Sequence, residues 1–177
     1  MRPPPRKQSG EEDLYTAALR ALMRRAYSIH EMRAYLERRS EDPALARRLV
    51  TRLKSEKLID DARYALEFAR QHANSRKQGR YRITRELRTR GVPDRHIEFA
   101  IAQVFAETDE ALLVQKLIER KLRSARGPLD QRHTASLYRM LLRAGFDAEL
   151  IRRQLRAAQA GQATIPDLPE NDSTDEA

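Results

Sequence analysis

A cluster of basic side chains is the part of this sequence whose residue types and spacing could do chemistry. Between Arg76 and Arg95 the chain carries seven Arg and one Lys against two acidic residues, a net charge of +6. Because Arg pairs with carboxylates and phosphates through two parallel hydrogen bonds, this composition favours an anionic partner. The candidate binding residues are Arg76, Lys77, Arg80, Arg82, Arg85, Arg88 and Arg90.

No comparable pattern points to catalysis or to metal binding. The four His residues are far apart, Cys is absent, and neither an HExxH spacing nor a glycine-rich phosphate loop occurs. The acidic pair Asp60-Asp61 directly precedes a segment with helical periodicity, so we interpret it as a helix N-cap rather than an acid–base pair. We therefore expect no catalytic residue, no metal and no cofactor.

The elements that must position the basic cluster are predicted to be helices. Between Glu11 and Ala160 apolar residues recur at helical spacing, and no sustained strand alternation is present. Helix start signals agree with this spacing of apolar residues. Ser28 to Glu31 forms a capping box, and Pro43 and Pro128 stand where helices would begin. The predicted fold class is all-α.

These predicted helices repeat along the chain. Three segments align without gaps when Ser40, Gly91 and Gly145 are set equal, at spacings of 51 and 54 residues. Each unit has room for about three helices, the last two arranged like a helix-turn-helix. One unit alone buries its apolar face poorly, so we expect an elongated array of tandem three-helix repeats. The predicted repeats are 11–60, 61–106 and 107–160.

The two ends of the sequence differ from this body. Residues 1–10 are basic and proline-rich, while residues 161–177 hold five acidic residues and no Lys or Arg, and both stretches are predicted to be disordered. The overall net charge of +9 is thus a body near +14 offset by −5. The acidic residues either compete for the basic surface or only improve solubility. No apolar run approaches the roughly 20 residues that span a bilayer, and the start of the chain lacks a signal-peptide pattern, so we expect an intracellular protein.

The repeats provide an internal comparison for the basic cluster. The positions of Arg80, Arg82, Arg85 and Arg88 hold Ile29, Glu31, Ala34 and Glu37 in the first repeat, and Thr134, Ser136, Arg139 and Leu142 in the third. The fold therefore does not require cations there, and like charges at helical spacing repel one another. We infer that the second repeat binds an anionic partner, with Ile83 and Leu87 facing the core and Lys77, Arg80 and Arg88 along a neighbouring strip. Nucleic-acid phosphates and an acidic protein surface both fit.

Two motifs resemble the RecX regulatory proteins of bacteria. They are LIDDARYA from Leu58 to Ala65 and GRYRITRELRTRGVPDRHI from Gly79 to Ile97, within a resemblance spanning roughly Tyr15 to Ala158. The resemblance implies a modulator of the RecA recombinase in DNA recombination, repair and the SOS response. Its members are cytoplasmic helical repeats that bind in the groove of the RecA–DNA filament and generally inhibit recombinase, ATPase and coprotease activity. This chain departs from the family in Ser40, in its proline-rich start and in its acidic residues 161–177.

The residues and the resemblance together predict a monomeric, non-enzymatic regulator without a membrane partner. It would bind the RecA filament and contact single- or double-stranded DNA through phosphates. Two alternatives stay open, an autonomous helix-turn-helix-like DNA-binding protein and a helical-repeat scaffold for an acidic protein. Acidic residues at the start of the third helices weigh against reading of base edges in a groove.

Overall fold

A computed structural model of the chain describes residues 10–124 and 130–163. Within these ranges the regular elements are nine α-helices, which confirms the all-α prediction and its tandem three-helix pattern. None of the described helices is long and apolar enough to cross a bilayer. The helices are α1 (Glu11–Leu22), α2 (Ile29–Glu37), α3 (Pro43–Ser55), α4 (Asp61–Asn74), α5 (Arg80–Thr89), α6 (Asp94–Glu107), α7 (Glu110–Ser124), α8 (Gln131–Ala144) and α9 (Ala148–Ala163).

The helices fall into groups of three, each with its own apolar core. The chain divides into two compact units, with α1 to α6 in the first and α7 to α9 in the second. Within the first unit, Leu14, Met32 and Leu49 are buried among α1 to α3, and Phe68, Ile83 and Ile97 are buried among α4 to α6. In the second unit the buried residues include Ile118, Leu141 and Ile151. The limits 11–60, 61–106 and 107–160 stay predictions as the limits of folding units.

The helix start signals act as the sequence predicts. The Ser28 hydroxyl accepts a hydrogen bond from the Glu31 amide at 3.0 Å, and the Glu31 carboxylate accepts one from the Ser28 amide at 3.1 Å. The predicted capping box is therefore confirmed. Pro43 is the first residue of α3, after the N-cap Asp42. The helix start predicted at Pro128 lies outside the described residues.

Two of the three equivalent turn positions need glycine. Gly91 and Gly145 have φ values of +69° and +89°, in the left-handed region that other residues enter only with strain. A Cβ at Gly91 would also lie 2.4 Å from Cγ of His30 on α2. Ser40 keeps a negative φ, and its hydroxyl accepts a hydrogen bond from the Asp42 amide at 3.1 Å. The first repeat thus makes this turn with a side chain.

The acidic pair Asp60-Asp61 serves two different helices. Asp60 is the N-cap of α4, and its carboxylate accepts hydrogen bonds from the Ala62 and Arg63 amides at 2.7 and 3.0 Å. Asp61 is the first residue of α4, one residue earlier than predicted, and its buried carboxylate accepts from the Ile29 amide at 2.9 Å. Burial raises the pKa of the Asp61 carboxyl. The N-cap interpretation holds for Asp60, whereas Asp61 joins α4 to the first turn of α2.

The predicted disordered ends lie mostly outside the described residues, which exclude 1–9 and 164–177. One boundary is wrong, since α9 continues to Ala163 and residues 161–163 are therefore helical. Ala and Gln at its end continue the helix without a strong stop signal before Pro166.

Candidate partner-binding face

Helix α5 presents a buried side and a cationic side. Ile83 and Leu87 are fully buried, as predicted, and pack in the core of α4 to α6. The helix begins at Arg80, after the N-cap Gly79. Lys77 precedes it with a left-handed φ of +54°, so the predicted strip of cations starts at Arg80 and does not include Lys77. We call Arg76, Lys77, Arg80, Arg82, Arg85 and Arg88 the cationic face.

A buried pair of polar side chains anchors the loop between α4 and α5. The Nδ1 of His72 donates to the side-chain oxygen of Gln78 at 2.7 Å, and both side chains are buried. The His72 ring also stacks on Phe68, with ring centroids 3.7 Å apart. Burial lowers the pKa of His72, which favours the neutral imidazole. Arg76 and Lys77 therefore extend from an anchored loop.

Two Arg residues of the cationic face are paired within the second repeat. Arg82 contacts Glu86 at 2.8 Å, one turn along α5. Arg88 contacts Asp94, the first residue of α6, also at 2.8 Å. The Arg88–Asp94 pair is exposed and is worth roughly 0.2–1 kcal/mol, so a strongly charged partner can displace it at little cost, whereas the Arg82–Glu86 pair is half-buried.

Arg90 has a different position from the other predicted binding residues. Its guanidinium contacts Glu31 of α2 at 2.9 Å and lies 4.9 Å from the centroid of the Phe68 ring. Its backbone carbonyl accepts a hydrogen bond from the Ser28 hydroxyl at 2.6 Å. Arg90 therefore joins the first helix group to the second, and its charge is engaged there.

Glu31 is the acidic centre of that junction. It accepts hydrogen bonds from Arg25 at 3.1 Å and from Arg90 at 2.9 Å, in addition to the Ser28 amide of the capping box. Burial alone would raise the pKa of the Glu31 carboxyl, but the hydrogen bond from Arg25 and the other donors outweigh it and lower the pKa. One carboxylate thus orients two Arg side chains from different repeats.

Three cations of the face make no ion pair with any residue that the structure describes. Arg76 and Arg85 are exposed, and Lys77 is half-buried. Arg80 lies over the ring of Phe105, with 5.2 Å between its guanidinium carbon and the ring centroid. Tyr81 is 59% exposed and, by its spacing, shares the outer stripe of α5 with Arg85. On the outer side of α5, Arg85 therefore offers positive charge beside the exposed ring of Tyr81.

The structure adds Arg25, which the sequence analysis did not single out. Arg25, Arg76 and Arg90 line a cavity of about 260 Å³ whose wall includes Phe68 and His72. Arg25 follows α1 and is remote in sequence from Arg76 and Arg90. The only sequence pattern that could have indicated it is the short basic pair Arg24-Arg25. The cavity extends the cationic region into the first repeat.

The described residues contain no group of three or more His, Asp or Glu side chains arranged to hold a metal ion. The strongest arrangement of functional groups in the described part is the cationic face, and its Arg and Lys side chains are all hydrogen-bond donors. Donors of this kind can pair with carboxylates or phosphates.

Comparisons with known proteins point to one family. A family model described as the second three-helix domain of RecX matches residues 60–101, a range that contains the whole cationic face. The regulatory protein RecX of Halorhodospira halophila is 34% identical over 151 residues, which cover 85% of this chain and 91% of that protein. A RecX protein of Oceanobacillus iheyensis is 32% identical over 137 residues, or 77% of this chain and 50% of its own length.

Solved structures show the same fold. The crystal structure of RecX from Lactobacillus salivarius matches with a TM-score of 0.71 and 20% identity, over 85% of this chain and 97% of that one. A second crystal structure, of a regulatory protein RecX, matches with a TM-score of 0.66 and 22% identity, over 80% and 70% of the two chains. At these identities the likeness establishes the helical fold alone.

Proposed function

This chain belongs to the RecX family of regulatory proteins, as the sequence motifs predict, and we propose that it is a non-enzymatic, monomeric regulator of the RecA recombinase. In this proposal it binds in the groove of the RecA–DNA filament in the cytoplasm and inhibits recombinase, ATPase and coprotease activity. The observation that carries the proposal is the cationic face, which lies within the segment that matches the family model.

The positions of the cations divide their roles. Arg76, Lys77 and Arg85, which make no ion pair with described residues, contact carboxylates of RecA or phosphates of DNA directly. Arg82 and Arg88 contribute positive potential and exchange their local partners on binding. Arg90 is a positioning residue, because its ion pair with Glu31 fixes the first repeat against the second.

Inhibition follows from occupancy of the groove. A chain seated there blocks entry of a second DNA and hinders rearrangement of the filament, so the regulator needs no active site of its own. Contacts with successive RecA subunits are individually modest, but they add through effective concentration once the first has formed. Contacts of Arg with phosphates or with carboxylates are ionic, and salt screens them. Filament binding therefore weakens as the salt concentration rises.

The helix-turn-helix alternative has a structural difficulty. Asp42 and Asp147 cap α3 and α9 by accepting hydrogen bonds from the Ala44 and Glu149 amides, at 2.7 and 2.9 Å. These carboxylates occupy the helix N-termini that would otherwise approach DNA phosphates. Binding to bare duplex DNA as tight as binding to the filament would nevertheless favour that alternative.

The test is charge reversal on the cationic face. We expect Arg76→Glu/Arg85→Glu to weaken inhibition of RecA ATPase on single-stranded DNA by about tenfold or more, since a hydrogen bond to a charged group contributes roughly 1.5–3 kcal/mol. Arg47→Glu is the matched control, because Arg47 is exposed on α3 and lies outside the face. Full inhibition by the folded double variant would remove the face from the mechanism.

A further inference from the structure

A groove in the second unit has an apolar floor and a basic rim. It runs between α8 and α9, encloses about 410 Å³, and is lined by Tyr138 and Leu155 together with Arg139, Arg152 and Arg156. At one end Gln159 of α9 donates a hydrogen bond to the Thr134 hydroxyl of α8 at 3.0 Å. The groove therefore offers both apolar and cationic contacts to one occupant.

The rim charges are mostly available. Arg139 and Arg156 are exposed and make no ion pair with the residues described in this structure. Arg152 pairs with Glu149 and lies 5.7 Å from the centroid of the Tyr138 ring. A positive rim over an aromatic floor fits an extended segment in which acidic and apolar side chains alternate.

The opposite side of α9 provides a comparison on the same helix. A second groove of about 400 Å³ runs between α7 and α9 and is lined by Ile118, Leu122 and Ala158. The charged residue in its lining is Glu119, and no Arg or Lys lines it. An acidic occupant therefore favours the α8–α9 groove over this equally large neighbour.

We propose that residues 164–177 of this same chain, which we call the acidic segment, occupy the α8–α9 groove. They contain Ile165 and Leu168 for the apolar floor and five acidic residues, without Lys or Arg, for the rim. The occupant is thus a part of the chain outside the described residues, and charge complementarity selects it. This inference is independent of the proposed action on RecA.

The acidic segment can reach the groove from its point of departure. Helix α9 ends at Ala163, seven residues beyond Arg156, and these residues extend about 10 Å along the helix axis. An extended chain from Ala163 to Asp167 spans up to about 14 Å. Asp167 can therefore turn back to Arg156, which leaves Glu170 and Asp172 for Arg139 and Arg152 farther along.

A paramagnetic label on the acidic segment tests this placement. The chain has no Cys, so Ser173→Cys gives one attachment site for a nitroxide. We expect broadening of backbone amide signals of Tyr138 and Gln159 that exceeds broadening at Gln115 and Glu119 of α7 by at least twofold. The broadening should decrease at high salt, because the rim contacts are exposed ion pairs.

Charge reversal on the rim provides the matched comparison. Arg139→Glu/Arg156→Glu should restore at least half of the lost signal at Tyr138, while Arg153→Glu should leave the broadening unchanged, since Arg153 is exposed on α9 outside the groove lining. Amide spectra of the unlabelled variants verify their fold, and the salt series reports on the wild-type rim if the double variant does not fold. Absent or uniform broadening, broadening centred on α7, or equal effects of the double variant and the control would overturn the proposal.

A mixed sample distinguishes binding of the acidic segment within its own chain from binding to a second copy of the chain. Spin-labelled chains without nitrogen-15 are mixed with nitrogen-15 chains that lack the label. Unbroadened Tyr138 and Gln159 signals in that mixture are expected for a segment bound within its own chain. Broadening in the mixture equal to that in the directly labelled chain would assign the groove to a neighbouring molecule and contradict the proposal.

Discussion

Replacement of Glu31 by Ala tests the junction between the first two helix groups. Its carboxylate accepts hydrogen bonds from the Arg25 and Arg90 guanidinium groups and from the Ser28 amide, at 3.1, 2.9 and 3.1 Å. Glu31→Ala breaks these three contacts and a longer one from the Tyr64 hydroxyl at 3.4 Å, and it leaves Arg90 beside Phe68 without its counter-charge. We expect the first unit to lose stability without loss of its helices.

The burial of Glu31 sets the magnitude. Exposed ion pairs contribute about 0.2–1 kcal/mol, whereas removal of one partner from a buried pair costs about 3–5 kcal/mol. The Glu31 side chain is 18% exposed, between these limits and closer to the buried one. With the lost capping contact included, we expect the free energy of unfolding to fall by about 2–3 kcal/mol. At a urea m-value of about 2 kcal/mol per M, the midpoint shifts down by about 1–1.5 M.

The assay is urea unfolding followed by circular dichroism, with Glu37→Ala as the control. Glu37 is the exposed last residue of the same helix, so its replacement should change the free energy of unfolding by less than about 0.5 kcal/mol. Equal midpoints for the two variants would refute the argument that Glu31 organises the junction.

The pH dependence of this difference is a second check. The pKa of Glu31 is lower in the folded protein than in the unfolded chain, despite burial, because Arg25 and the other donors stabilise the carboxylate. Its contribution is therefore complete above the unfolded pKa of about 4.3 and is lost as pH falls through the folded pKa. The stability gap between wild type and Glu31→Ala should shrink below about pH 4. A gap that stays constant into acid would show that packing, rather than charge, causes it.

Two further predictions concern single residues. Gly91→Ala should lower the free energy of unfolding by about 2–3 kcal/mol, because its φ is +69° and the new Cβ would meet His30. Gly161→Ala should raise the free energy of unfolding by about 0.5–1 kcal/mol, because Gly161 is helical and its new Cβ would enter open space. A similar effect of the two changes in thermal melts would contradict this. Burial lowers the pKa of His72 in the folded state, so the unfolded chain takes up the proton first and stability should fall as pH drops below about 6.5. His72→Gln should flatten that part of the pH profile, and an unchanged slope would place the titration elsewhere.

The sequence predicts features that depend on neighbouring residues. The capping box at Ser28, the N-cap at Asp60 and the buried side of α5 all involve residues within one helical turn of each other. Their hydrogen bonds and periodicity follow from local geometry, so one sequence contains the necessary information. The family motifs are also contiguous, so the sequence alone carries the resemblance to the family.

Contacts between helix groups could not be predicted in the same way. Arg90 pairs with Glu31 and Asp61 with the Ile29 amide across more than 30 residues, and no local pattern marks these partners. They also refine the comparison between repeats. Glu31 occupies the position equivalent to Arg82, and its negative charge serves the junction, so part of the charge difference between repeats reflects packing. The cations at Arg76 and Arg85 have no such explanation among the described residues.

Direct binding to filaments tests whether the cationic face recognises the RecA–DNA filament. A fluorescently labelled chain would be titrated with RecA–single-stranded-DNA filaments, with bare single strands and with RecA alone, over a range of salt concentrations. We expect the tightest binding to the filament, and at least a tenfold loss in Arg76→Glu/Arg85→Glu with no loss in Arg47→Glu. Equal affinity for bare DNA and filament, or wild-type filament affinity in the folded double variant, would contradict it.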